Sequence, residues 1–242
     1  MEKATAIICV YNEQDTIENV IISTSKEQFI NEIVVVNDGS TDSSKSIINK
    51  LKSTYNLNVI NFEINKGKGY AMAVGVENAK YDIVMFIDAD QTRITPNYTS
   101  ELIMSLINKE CDMVLGYSTV NILKKDINPL KILTGERALF KKDIMPILDK
   151  IKASRFGVET LLYFYYISVE KSIKFIRLSG LKHRDKYKKA SFKQATNNYI
   201  GEGWEIIRTA FKNYDMVLKP IQNQITKYIA KNKKLIIYQI KN

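Results

Sequence analysis

At 242 residues, 45% hydrophobic and 26% charged, the chain has the composition of a folded globular protein and not of a disordered one. Two cysteines exclude a disulfide framework, and no apolar run approaches the roughly 18–20 residues that span a bilayer. The net charge of +10 is uneven: residues 1–179 hold 22 Lys/Arg against 22 Asp/Glu, whereas residues 180–242 hold 14 against 4.

Thr5 to Val10 reads as a first buried strand, followed by the polar turn Tyr11-Asn12-Glu13. Ile17, Val20, Ile21 and Thr24 recur at helical spacing. Met1 followed by charged residues and a strand predicts no signal peptide, and Cys9 and Cys111 lie in apolar runs, as reduced cysteines of a cytoplasmic protein do. Glu32 to Val36 is a second strand. It runs into Asn37-Asp38-Gly39-Ser40-Thr41-Asp42, a cluster of turn formers that can cap the next helix, over roughly residues 43–54. Asn58 to Phe62 is a third strand, leading through Asn65-Lys66-Gly67-Lys68-Gly69 into a helix that runs through Val76. This loop lacks the four-residue glycine spacing of a Walker A motif, but its glycines let backbone approach a ligand at a helix N-terminus.

The fourth strand, Asp82 to Asp88, is an apolar run that ends in Asp88-Ala89-Asp90. In a parallel sheet the tips of such strands lie along one edge, where ligands bind. Two carboxylates there can hold a hard cation that also binds phosphate oxygens. Asp38, at the tip of the second strand, can accept an imide N–H or ribose hydroxyls, or serve as an Asx-turn or N-cap residue.

Beyond Pro96 the pattern predicts a helix through Ile107, a fifth strand Asp112–Gly116, and a helix carrying Leu161 to Ile167 with Glu159 at its head. Thr134-Gly135-Glu136-Arg137 reads as a glycine-rich turn. Arg137 there suits an acceptor phosphate or a salt bridge with Glu136. A strand over Ile173–Leu178 precedes His183, the sole histidine, and the basic run Lys182 to Lys189. Pro220 separates two C-terminal helices. The second, made basic and amphipathic by Lys227, Lys231, Lys233 and Lys234 within a basic tail over Lys219 to Lys241, suits an anionic membrane surface, the domain core or a second protomer as its contact.

Strands alternating with helices predict a doubly wound, mostly parallel α/β sheet over residues 1–200, with a helical extension over 201–242. Tyr11-Asn12-Glu13, Asn37 to Asp42, Gly67-Lys68-Gly69-Tyr70-Ala71 and Asp88-Ala89-Asp90, in this order at strand ends, resemble the N-terminal half of family 2 glycosyltransferases of the GT-A fold. The second half is similar to phosphorylated-acceptor enzymes such as glucosyl-3-phosphoglycerate synthases and polyprenyl-phosphate glycosyltransferases. The resemblance implies a UDP- or GDP-linked sugar donor, with Asp38 at the base, Asp88 at the ribose or sugar, and Asn12, Glu13 and Lys68 also in the donor site. It implies Mg²⁺ or Mn²⁺ held by Asp90 and His183, with Arg184 covering the diphosphate or the acceptor. Gly135 and Arg137 would face the phosphorylated acceptor, and Glu159 would act as general base or orient a substrate. Where enzymes with a catalytic carboxylate often show Glu-Asp, this chain has Glu159-Thr160. The alternative class is a non-catalytic basic module for nucleic acid or membrane, but no nucleic-acid-reading motif is present. A nucleotidyltransferase would carry a glycine-rich N-terminal loop where Tyr11-Asn12-Glu13 stands.

Overall fold

The computed structural model describes residues 3–93, 98–117, 121–122, 125–126, 131–178 and 182–183, together with Tyr214, Asp215, Leu218 and Gln222. The first half alternates strand and helix: β1 (Ala4–Val10), α1 (Ile17–Thr24), β2 (Ile30–Asn37), α2 (Ser44–Leu51), β3 (Asn58–Asn61), α3 (Lys68–Asn78) and β4 (Ile83–Asp88). A short β5 (Gln91–Arg93) leads to α4 (Tyr98–Ile107) and β6 (Met113–Tyr117). A two-residue hairpin pair follows, β7 (Asn121–Ile122) and β8 (Lys125–Asp126), then β9 (Arg137–Phe140). Three helices, α5 (Lys141–Ile144), α6 (Leu148–Ala153) and α7 (Val158–Ser168), precede β10 (Ile173–Arg177) and β11 (Lys182–His183).

Seven strands form one sheet in the order β10-β6-β9-β4-β1-β2-β3. Every neighbouring pair is parallel except those of β9, which runs antiparallel to both β4 and β6. The central strands are β-branched and aliphatic because both of their faces are covered. Successive residues of β1 take opposite sides. Ala6 and Ile8 join Ile17, Ile21, Ile48 and Leu102 in one layer, while Ile7 meets Met72, Val76, Leu161 and Tyr166 in the other. The same alternation sends Val35 and Met85 to the first layer and Val34, Val84 and Phe86 to the second.

Register fixes where the functional ends lie. Cys9 stands opposite Asp88 on one side and Val36 on the other, so the tips of β1, β2 and β4 are level. Because β9 runs the other way, its beginning, Glu136-Arg137, lies at the edge where β4 ends, and Phe86 pairs with Arg137. The fifth and later strands of the sequence reading are present, but the segment read as a glycine-rich turn becomes a sheet strand from Arg137 onward. Among the described residues no helix is long and apolar enough to cross a membrane. The proposed boundary at residue 200 and the two helices around Pro220 fall almost wholly outside the described residues. Of those that are described there, Asp215 comes within 4.0 Å of Lys150 on α6.

Candidate active site

The strand tips gather most of the residues singled out from the sequence. Lys68, the first residue of α3, places its ammonium 2.8 Å from Asp88 Oδ1 and 2.7 Å from Glu159 Oε1. Burial works against the Lys68 charge, but the two carboxylates outweigh it and hold the ammonium well above its ordinary pKa. The lysine therefore stays charged, with two of its three N–H donors directed at acids. Glu159, in the first turn of α7, is buried to all but 9% of its side chain. Gly135 lies against the Asp88 carboxylate so closely that a Cβ there would collide with both oxygens.

Two further hooks shape the turn that follows β4. Glu136, fully buried, accepts the Asp88 N–H at 3.1 Å and the Gln91 side-chain amide on the same Oε1. Thr16 Oγ1 donates to the Ala89 carbonyl at 2.7 Å. The Asp88-Ala89-Asp90 turn is thus held at both ends and in the middle. Sequence reasoning paired Glu136 with Arg137 and missed this role, because the partners Asp88 and Gln91 lie some 45 residues away.

Arg137 requires a correction. Its side chain is 0% exposed, and its guanidinium donates to the backbone carbonyls of Glu159 (3.2 Å) and Thr134. It ties β9 to the start of α7 and has no surface from which to meet an acceptor phosphate. Its burial pulls its pKa down, partly offset by Glu159 and Asp88 nearby.

At the tip of β2, Asp38 is 3% exposed and accepts the amide N–H of Lys66 at 2.7 Å and of Gly67 at 2.9 Å, one on each oxygen. Asn12, at φ +57, joins the tips of β1 and β2: its amide donates to Ser40 Oγ and its side-chain oxygen accepts the Thr41 N–H. The Glu13 amide donates to Ser44 Oγ at 2.9 Å. Both residues therefore brace the strand-tip loops. Burial pushes the Cys9 thiol up to about 12 and that of Cys111 up to about 11, so neither is a thiolate at neutral pH, in line with reduced core cysteines.

Asp90 is half-buried on the turn beyond β4. His183 lies on β11, which pairs antiparallel with β5 so that His183 stands opposite Gln91. The backbone therefore brings the sole histidine beside the turn that carries Asp90. Among the described residues no three His, Cys, Asp or Glu side chains converge as a metal group. Asp90 and an adjacent His183 strand nonetheless fit a cation that takes its remaining ligands from diphosphate and water. Arg184 lies outside the described residues.

A parallel sheet with acidic strand tips, one inserted antiparallel strand and a glycine-lined carboxylate is the architecture of the GT-A nucleotide-sugar transferases. Residues 5–167 match the model of glycosyl transferase family 2, and the chain belongs to that family. It is 34% identical over 91 residues to the poly-beta-1,6-N-acetyl-D-glucosamine synthase of Staphylococcus epidermidis, a match covering 37% of this chain and 22% of that protein. The chain thus spans about a fifth of the length of such relatives. Its fold is similar to glucosyl-3-phosphoglycerate synthase of Mycobacterium tuberculosis in complex with Mn²⁺, UDP and glucosyl-3-phosphoglycerate (TM-score 0.65, 18% identity, 87% of this chain and 79% of that one). It is also similar to TarS of Staphylococcus aureus (TM-score 0.57, 20% identity, 74% of this chain and 36% of that one).

Proposed function

We propose that the chain transfers a sugar from a UDP- or GDP-linked donor to a phosphorylated acceptor, with Mg²⁺ or Mn²⁺ at Asp90 and His183. The observation that carries this reading is the Lys68 ammonium shared by Asp88 and Glu159 at the tip of β4. Asp38 meets the base, and Asp88 a ribose or sugar hydroxyl. Among the described residues the third N–H of Lys68 meets no partner, and it would donate to a substrate oxygen. Glu159 orients the sugar or the acceptor, its position fixed by Lys68 on one side and by the grip of Arg137 on its carbonyl on the other. The bound cation would neutralise charge developing on the leaving diphosphate. A phosphate acceptor is largely ionised at neutral pH, so its attack demands little of a general base.

The neighbouring glucosyl-3-phosphoglycerate synthase has been captured with phosphoglyceric acid, which supports a phosphorylated acceptor. A polyprenyl phosphate is the acceptor we favour, because the excess charge is concentrated after residue 180 and interleaved with apolar residues over 219–241. That segment would place the enzyme at the inner face of a membrane, and a homodimer through the same segment is the competing use. A soluble phosphorylated acid is the second reading.

The test is donor hydrolysis. The protein is incubated with a panel of nucleotide sugars and Mn²⁺, and slow release of nucleoside diphosphate is followed. Turnover of one UDP- or GDP-sugar supports the reading, and none across the panel removes it. Co-sedimentation with anionic vesicles at low and high salt, with and without residues 219–242, then separates the two acceptors.

A further inference from the structure

We propose that Arg155 reads the donor base together with Asp38 and selects uracil through its imide edge. The inference rests on the reading of Asp38 as the base contact and adds a residue that no sequence motif marks.

Arg155 sits in the turn between α6 and α7 at φ +48, a left-handed conformation that a long side chain rarely adopts. Its backbone and stem press on Gly67: a Cβ at Gly67 would lie 3.3 Å from Arg155 Cβ, and Gly67 itself has φ +96. Gly67 is also the residue whose amide holds Asp38 Oδ2. The arginine is thereby stationed over the loop that fixes the base-contacting carboxylate. Its side chain is exposed, and among the described residues it makes no hydrogen bond or salt bridge. Burial raises the Asp38 carboxyl, while the Lys66 and Gly67 amides and then the Arg155 charge draw it back, so the guanidinium acts on this group across space. Lys66, the other cation here, is engaged over the rings of Tyr70 at 4.6 Å and Phe62 at 4.9 Å. Among the described residues Arg155 is thus a cation beside this loop with no partner of its own.

The chemistry selects among bases. Uracil presents an N–H between two carbonyls, so a carboxylate can accept the N–H while a guanidinium donates to O4, the position at which cytosine carries an amino donor instead. Cytosine and adenine place a lone pair where uracil has the N–H, and that lone pair would face the Asp38 oxygens. Guanine offers two adjacent N–H groups and needs both carboxylate oxygens. At 3% exposure, with each oxygen already accepting an amide, Asp38 has room for one donor.

Calorimetric titration of UDP, CDP and GDP, each with excess Mn²⁺, into wild type and Arg155→Gly tests this. Glycine suits the left-handed backbone, and a melting curve confirms that the variant folds. Wild type should bind UDP more tightly than CDP or GDP. The variant should lose about tenfold in UDP affinity, the scale of one charge-assisted hydrogen bond, with CDP little changed. Equal losses for UDP and CDP would make Arg155 a phosphate contact and overturn the proposal, as would unchanged UDP affinity or a wild-type preference for GDP. Wild type that binds no nucleotide would instead overturn the transferase reading itself, and this inference with it.

Discussion

Gly135 packs directly on the carboxylate of Asp88, leaving no space for even a methyl group between the β9 approach and the tip of β4. Gly135→Ala should therefore displace the Asp88 side chain or the backbone before β9. Overpacking of this kind costs about 1–3 kcal/mol. Donor hydrolysis should fall at least tenfold even where the melting temperature drops by only a few degrees. Normal hydrolysis by the alanine variant would show that Asp88 does not need its present position.

Lys68→Met removes the cation between Asp88 and Glu159 and leaves two acids facing each other in a half-buried setting. The charged hydrogen bonds it forfeits are worth about 1.5–3 kcal/mol each before solvent screening, and the lysine is partly exposed, so a net loss of about 2 kcal/mol is expected. Activity should fall more than stability. Glu159→Gln keeps the shape and should be milder in both. Denaturant melts and donor hydrolysis, run on both variants, order these effects.

Glu136→Gln retains an acceptor oxygen for the Asp88 N–H and the Gln91 amide, so the fold should be held to within about 1 kcal/mol. Glu136→Ala leaves both donors buried and unsatisfied and should cost about 2–4 kcal/mol. The Asp88-Ala89-Asp90 turn would loosen with it. If alanine and glutamine variants melt together, the hydrogen bonds to Glu136 contribute little.

For the cation, Asp90→Ala should abolish turnover with an unchanged melting temperature, and His183→Ala should weaken Mn²⁺ binding by more than tenfold. Titration of Mn²⁺ with UDP present, by calorimetry, reports on both without relying on catalysis. Wild-type Mn²⁺ affinity in either variant would remove that residue from the metal shell.

Acid stability should trace partly to the far edge of the sheet. Partial burial works against the Asp112 charge, but the Ser172 hydroxyl and amide, then Lys171, outweigh it and hold the carboxyl below its ordinary value. A folded-state pKa lowered in this way adds stability that is present above the ordinary carboxylate value near 4 and is lost as pH falls through the folded one. Asp112→Asn should lower stability at pH 7 and flatten the loss of stability as pH falls below the ordinary carboxylate value near 4. Parallel melts of wild type and variant across that range measure the difference.

The first half was legible because its strands are continuous apolar runs that end abruptly in polar residues. Ile83 to Asp88 needs no distant partner to read as a buried strand with an acid at its tip. The parallel order and the placement of Asp38, Lys68 and Asp88 along one edge followed from that pattern. The β9 region was misread because Arg137-Ala138-Leu139-Phe140 is short and carries a full charge at its start. That charge is tolerable only through carbonyls contributed by Thr134 and the first turn of α7, which no local pattern announces. Arg155 went unnoticed for the same reason: its significance lies in its contact with Gly67, in a loop far earlier in the chain.

The antiparallel insertion of β9 also bears on how the chain is made. When β4 leaves the ribosome, one of its edges can pair at once with β1, but the other awaits Arg137–Phe140, about fifty residues later. Until then the nascent sheet presents an open, strongly apolar margin of the kind that invites pairing between chains. A product truncated before Arg137 would carry Asp38, Asp88 and Asp90 and still be prone to aggregate, so the first half of the chain is not a separable unit of synthesis.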